Sequence, residues 1–126
     1  ERGIAALRNM RRIADAHRAS VFAVATSAVR EAKNSTDFVD RVANEAGIEI
    51  EVISGVEEAR LIHLGVLQAL PLSTKRSLLI DIGGGSTEFV FGTDYVEFAK
   101  SMNIGCVRMS AQGILSGSSS TPHRFP

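Results

Sequence analysis

The stretch from Ser77 to Gly92 limits most sharply what this chain can become. A β-rich run, Ser77 to Ile82, meets the glycines Gly83-Gly84-Gly85, after which Thr87, Phe89 and Phe91 alternate with Glu88, Val90 and Gly92. Alternation of period two marks a strand, not a helix. The bend is therefore expected to join two strands as a hairpin, which excludes the two common glycine-rich nucleotide loops. A P-loop needs a lysine and a hydroxyl residue leading into a helix, and no lysine follows here. A Rossmann fingerprint needs a small residue where Glu88 stands, and it too leads into a helix.

The remaining sequence supplies layers for such a sheet. Ile4, Leu7, Met10, Ile13, Ala14 and Ala16 recur at helical spacing, predicting an amphipathic helix over Ile4 to Ala19 whose arginines form a solvated face. Val21 to Thr26 reads as a strand buried on both faces, and Ile48 to Ile53 as a second strand. Between them Phe38, Val39, Val42 and Ala46 predict a helix that Gly47 caps. Ser54-Gly55-Val56-Glu57 has the form of a capping box, opening a helix that runs to about Leu70 and stops before Pro71. Tyr95 to Met102 supplies a further strand, and Ile104 to Met109 a turn and the start of another element. Helices alternating with strands, one hairpin included, indicate a layered α/β domain with a mixed sheet. From Ser116 onward the pattern dissolves into serine, threonine and proline, so residues 116–126 are expected to be a disordered or non-native tail.

Charge narrows the partners. Fourteen Lys and Arg balance fourteen Asp and Glu, and a net charge of zero gives no positive field to attract DNA, RNA or an anionic membrane. No apolar run reaches the roughly 18 residues of a membrane span. The single cysteine, Cys106, allows no internal disulfide, reads as a small buried hydrophobe, and suits a reducing, cytoplasmic setting. His17, His63 and His123 lack the spacing of a zinc site.

Three clusters carry candidate chemistry. In Asp81-Ile82-Gly83-Gly84-Gly85-Ser86-Thr87-Glu88 the glycines permit positive φ and let N–H groups approach an anion, while Ser86 and Thr87 add hydroxyl donors. Asp81 and Glu88 flank the bend with hard oxygen ligands of the kind magnesium prefers, and such an acidic pair would repel phosphate unless a cation intervened. The plain alternative is a tight polar turn. In Glu57-Glu58-Ala59-Arg60 the capping box accounts for Glu57 and leaves Glu58, either as an ordinary complement to the helix dipole or as a general base on water. Arg30, just past the first strand, either grips phosphate bidentately or pairs on the surface with Glu31 or Glu51.

Four segments in order carry a resemblance: Ala25 to Asn34, Val52 to Ile62, Asp81 to Glu88, and Gly105-Cys106-Val107-Arg108. Together they resemble the exopolyphosphatase and guanosine pentaphosphate phosphatase family, over about Ile4 to Met109. The resemblance implies a ribonuclease H-like α/β fold of the actin, sugar kinase and heat-shock ATPase superfamily. Residues 1–76 would belong to its first domain and 77–115 to the opening hairpin of its second. It further implies hydrolysis of terminal phosphate from polyphosphate or guanosine pentaphosphate with magnesium, and a homodimeric parent. By motif, Glu58 would be the base that activates water. Asp81, Gly83, Gly84, Gly85, Ser86 and Thr87 would form a phosphate loop, Glu88 with Asp81 would hold the metal, and Arg30 would lie near the phosphates. The family's opening loop, Asp-x-Gly-Ser-Asn-Ser, has no match here, so the chain is expected to be a truncated member with little stability or turnover alone. A non-catalytic phosphate-binding module, or a relative of the acetate and sugar kinases, is the alternative reading.

Overall fold

The computed structural model describes residues 1–71 and 75–113; the tail expected at 116–126 lies outside the described residues. Along the chain run α1 (Arg2–Ala16), β1 (Ala23–Ala25), α2 (Ser27–Arg30), α3 (Ser35–Ala46), β2 (Ile50–Val52), α4 (Gly55–Ala69), β3 (Ser77–Ile82), β4 (Thr87–Gly92), β5 (Val96–Met102) and α5 (Cys106–Ala111). The architecture is mixed α/β, as expected, with the strands in two separate sheets: β1 and β2 pair in parallel, and β3, β4 and β5 form an antiparallel meander.

The first sheet packs with α1 and α3. Ile4, Val42, Ala46 and Ile48 form a buried cluster, with Leu7, Phe38 and Ile50 packed around it. α3 ends at Gly47 in the left-handed region, at φ +63°, as the glycine there foretold. The arginines of α1 do more than face solvent. Arg8 donates to the Glu45 carbonyl at 2.8 Å and Arg11 to the Gly47 carbonyl at 2.8 Å, tying α1 to the end of α3. β1 departs from expectation: it is only three residues long and is not buried on both faces, with Phe22 95% exposed beside it. Among the described residues its sheet has just two strands, so the apolar run has no neighbour to cover its outer edge.

The second sheet follows the sequence pattern closely. β3 and β4 pair Ser77 with Gly92 through Ile82 with Thr87, with residues 83–86 as the connecting bend. β5 adds Phe98 opposite Phe91 and Ser101 opposite Glu88. Partners across an antiparallel ladder share a face. Asp81, Glu88 and Ser101 therefore lie on one side, and Leu78, Ile80, Ile82, Phe91 and Phe98 on the other. α4 packs on β4 and β5 from the first side. There Gly55 lies so close to β5 that a Cβ on it would sit 2.6 Å from the Ser101 hydroxyl, and buried His63 places Nε2 3.0 Å from the Thr93 carbonyl. Among the described residues no helix is long and apolar enough to cross a membrane.

Candidate active site

A cleft of about 380 Å³ opens between the end of β1, α4, the bend after β3 and α5. Thr26, Ser27 and Ala28 line it from the end of β1 and the start of α2. Glu58 lines it from α4, Gly83 to Ser86 from the bend, and Val107, Arg108 and Ala111 from α5. Residue 58 and the triple-glycine bend thus face the same space.

The bend is held in an unusual way. Gly83 N–H donates to the Ser86 carbonyl at 2.9 Å, closing the turn. The carbonyls of the three glycines are then all tied to α5. Cys106 N–H donates to Gly83 at 3.0 Å, Val107 and Arg108 N–H to Gly84 at 3.0 and 3.1 Å, and Arg108 Nε to Gly85 at 3.0 Å. Among the described residues no acceptor takes the N–H of Gly84, Gly85 or Ser86. None of the three glycines adopts the positive φ expected of them. Clearance is what Gly85 needs, and Gly83 more narrowly, where a Cβ would lie 3.2 Å from the Ser86 carbonyl, whereas one on Gly84 would make ordinary contact with Val107 at 3.4 Å. A Cβ on Gly85 would lie 2.5 Å from Ser27 Oγ, and one on Gly105 would lie 2.6 Å from Gly85 N.

The helix carrying Glu58 starts where the cap predicts. Ser54 Oγ accepts from Glu57 N–H at 3.1 Å. The reciprocal half of the capping box is absent, because Glu57 instead makes a forked pair with Arg60 at 2.6 and 2.8 Å. That hydrogen bond holds the Glu57 carboxyl below the usual carboxylate range and the Arg60 guanidinium above its own. Glu58, one position on, is largely buried at 14% side-chain exposure and meets Arg30 Nη1 at 3.3 Å. Arg30 also donates to the Ile53 carbonyl at 2.8 Å, so its partners are neither Glu31 nor Glu51. It does not line the cleft itself but stands behind Glu58, beside Ser54 and Gly55.

The other sequence candidates sit deeper or outside. Ser86 is buried in the bend, and Thr87 is buried with its hydroxyl donated to the Ile104 carbonyl. Glu88 is 1% exposed and accepts from Ser101 Oγ at 2.7 Å through Oε1. Asp81, its partner across the ladder, is exposed. Neither Asp81, Thr87 nor Glu88 lines the cleft. Among the described residues no group of three His, Cys, Asp or Glu forms a metal cage. Magnesium commonly binds through one or two carboxylates and completes its shell with water and phosphate oxygens; of this pair Asp81 is open to solvent, while Glu88 is buried and already accepts from Ser101. Cys106 is exposed at the start of α5, not a buried hydrophobe, because α5 uses its backbone to bind the bend and turns this side chain outward.

Arg108 is the cleft residue that the sequence reading left without a role. Its guanidinium lies between the Gly85 carbonyl and Glu31, with Nη2 paired to Glu31 Oε2. These partners are 23 and 77 positions away, so no local spacing signals them. The only hint was an arginine in the fourth ordered segment.

Comparison with known proteins gives these features a context. The family model described as Ppx/GppA phosphatase family matches residues 1–122. Exopolyphosphatase 1 of Mycobacterium leprae is 43% identical over 95 residues, which cover 75% of this chain and 28% of that protein. The crystal structure of an exopolyphosphatase from Cytophaga hutchinsonii superposes with a TM-score of 0.85 at 41% identity, covering 88% of this chain and 36% of that one. An Aquifex aeolicus Ppx/GppA family member superposes with a TM-score of 0.74 at 37% identity, covering 87% and 36%. The chain thus spans about a third of the length of these relatives.

Proposed function

Because the chain belongs to the Ppx/GppA phosphatase family, we propose that its cleft is the hydrolytic centre of a phosphoanhydride hydrolase that removes the terminal phosphate of polyphosphate or the 5′ γ-phosphate of guanosine pentaphosphate. One observation carries this reading: Glu58 and the amide-bearing bend face a common cleft. The terminal phosphoryl oxygens accept from the N–H groups of Gly84, Gly85 and Ser86. Glu58 takes a proton from a water that attacks the phosphorus in line. The bridging P–O bond breaks, and its electron pair leaves with the departing phosphate chain. Arg30 holds Glu58 in place from behind, its own position fixed by the Ile53 carbonyl. Asp81 and Glu88, on the strands that flank the bend, would hold magnesium, which supplies positive charge beside the bend when it is bound.

The test is release of orthophosphate from polyphosphate, with magnesium, by the protein carrying these residues and by its Glu58→Gln variant. Loss of a general base lowers the rate by about 10²–10⁴-fold, while polyphosphate binding persists. Undiminished release by the variant would remove Glu58 from the role. Binding without release by the unaltered protein would favour the non-catalytic module, and phosphoryl transfer from ATP to acetate or a sugar would favour the kinase relative.

A further inference from the structure

The peptide group is planar and trans, so the direction of one residue's carbonyl fixes the opposite direction for the next residue's N–H. Tying the carbonyls of Gly83, Gly84 and Gly85 to α5 therefore aims the N–H groups of Gly84, Gly85 and Ser86 away from α5. The first two carbonyls are held by backbone N–H groups, which any residue in α5 would supply. The third is held by a side chain alone, through Arg108 Nε at 3.0 Å. Glu31, the residue that caps α2, takes Nη2 of the same guanidinium.

Resting on the hydrolase reading above, we propose that Arg108 is a positioning residue. It sets the plane of the Gly85–Ser86 peptide, and hence the aim of the Ser86 N–H at a phosphate oxygen, with Glu31 keeping its guanidinium in that place. The arrangement needs a planar fork. Nε reaches a carbonyl while Nη2 reaches a carboxylate, two fixed directions that a lysine ammonium on its flexible stem does not reproduce. Glu31 also offsets the positive charge that would otherwise draw Arg108 onto the phosphate itself. Arg108 therefore works through the backbone of the bend and does not serve as a direct ligand.

The experiment compares Arg108→Lys and Glu31→Gln with the unaltered protein. Binding of inorganic phosphate is read by calorimetry, and the Ser86 amide by its nitrogen and proton NMR shifts without ligand. If Arg108 positions the peptide, both variants weaken phosphate binding by about tenfold, the value of one hydrogen bond to a charged group, and both move the Ser86 amide resonance. A direct ligand behaves oppositely: lysine keeps most of the affinity, and Glu31→Gln tightens binding by releasing the arginine. Either of those results, or an unmoved Ser86 resonance, overturns the proposal. Glu31→Gln alters a partly exposed side chain outside the cleft lining, so the test survives if Arg108→Lys folds poorly. Absence of phosphate binding by the unaltered protein would sink the hydrolase reading instead, while the ligand-free Ser86 shift would still decide whether Arg108 sets the peptide plane.

Discussion

Glu57 and Glu58 are adjacent carboxylates in one helical turn with different environments. Glu57 is exposed enough to pair with Arg60 along the helix, whereas Glu58 turns into the cleft against Arg30. Since the Glu57 carboxyl is depressed below its ordinary 4.5 by the Arg60 hydrogen bond, the pair's contribution to stability is complete above that ordinary value and is lost as pH falls through the depressed one. Arg60→Ala is expected to return Glu57 to the ordinary carboxylate range, followed by carboxyl carbon NMR across an acid titration, and to change global stability little, as exposed pairs do. The sequence singled out Glu58 by elimination, assigning Glu57 to a box that only half forms. It gave no equivalent signal for Arg108, because a guanidinium's choice between remote acceptors depends on how α5 lies over the bend. Nor did it foretell that the Thr87 hydroxyl would be consumed by the Ile104 carbonyl.

Element boundaries were most legible where their causes are local. β3 and β4 begin and end where the period-two pattern and the glycines place them. α4 starts after the Ser54 cap and stops before Pro71. β1 was misjudged because burial of an apolar strand depends on neighbours that the strand's own sequence does not encode. Glycines are similarly ambiguous until the elements are packed, and two of them test this. Gly65, within α4, has nothing within 4 Å of its missing Cβ, so Gly65→Ala is expected to stabilise the protein by about 0.5–1 kcal/mol through helix propensity. Gly105 crosses the backbone of Gly84 and Gly85, so Gly105→Ala is expected to cost about 1–3 kcal/mol by overpacking and to distort the bend. Urea unfolding of both variants should show opposite signs.

At the scale of the molecule, the sheet face opposite α4 is apolar and open, with Leu78 58%, Ile80 53%, Ile82 69% and Phe98 55% exposed. A contiguous patch of this kind drives association, and β3 has no partner on its outer edge among the described residues. The 126-residue chain alone is expected to show a mass that climbs with concentration in sedimentation, and Ile80→Glu to lower it. The cleft itself is less exposed to such effects. The helix bearing Glu58 rests on β4 and β5, the sheet that also carries the bend. The gap between base and amides is therefore a property of one contiguous stretch, residues 54–113, and not of how two sheets are set against each other. A protein engineer transplanting that stretch onto an unrelated scaffold would carry the spacing with it, and would need to rebuild the wall that Thr26, Ser27 and Ala28 provide, the arginine behind Glu58 and the carboxylate beside Arg108.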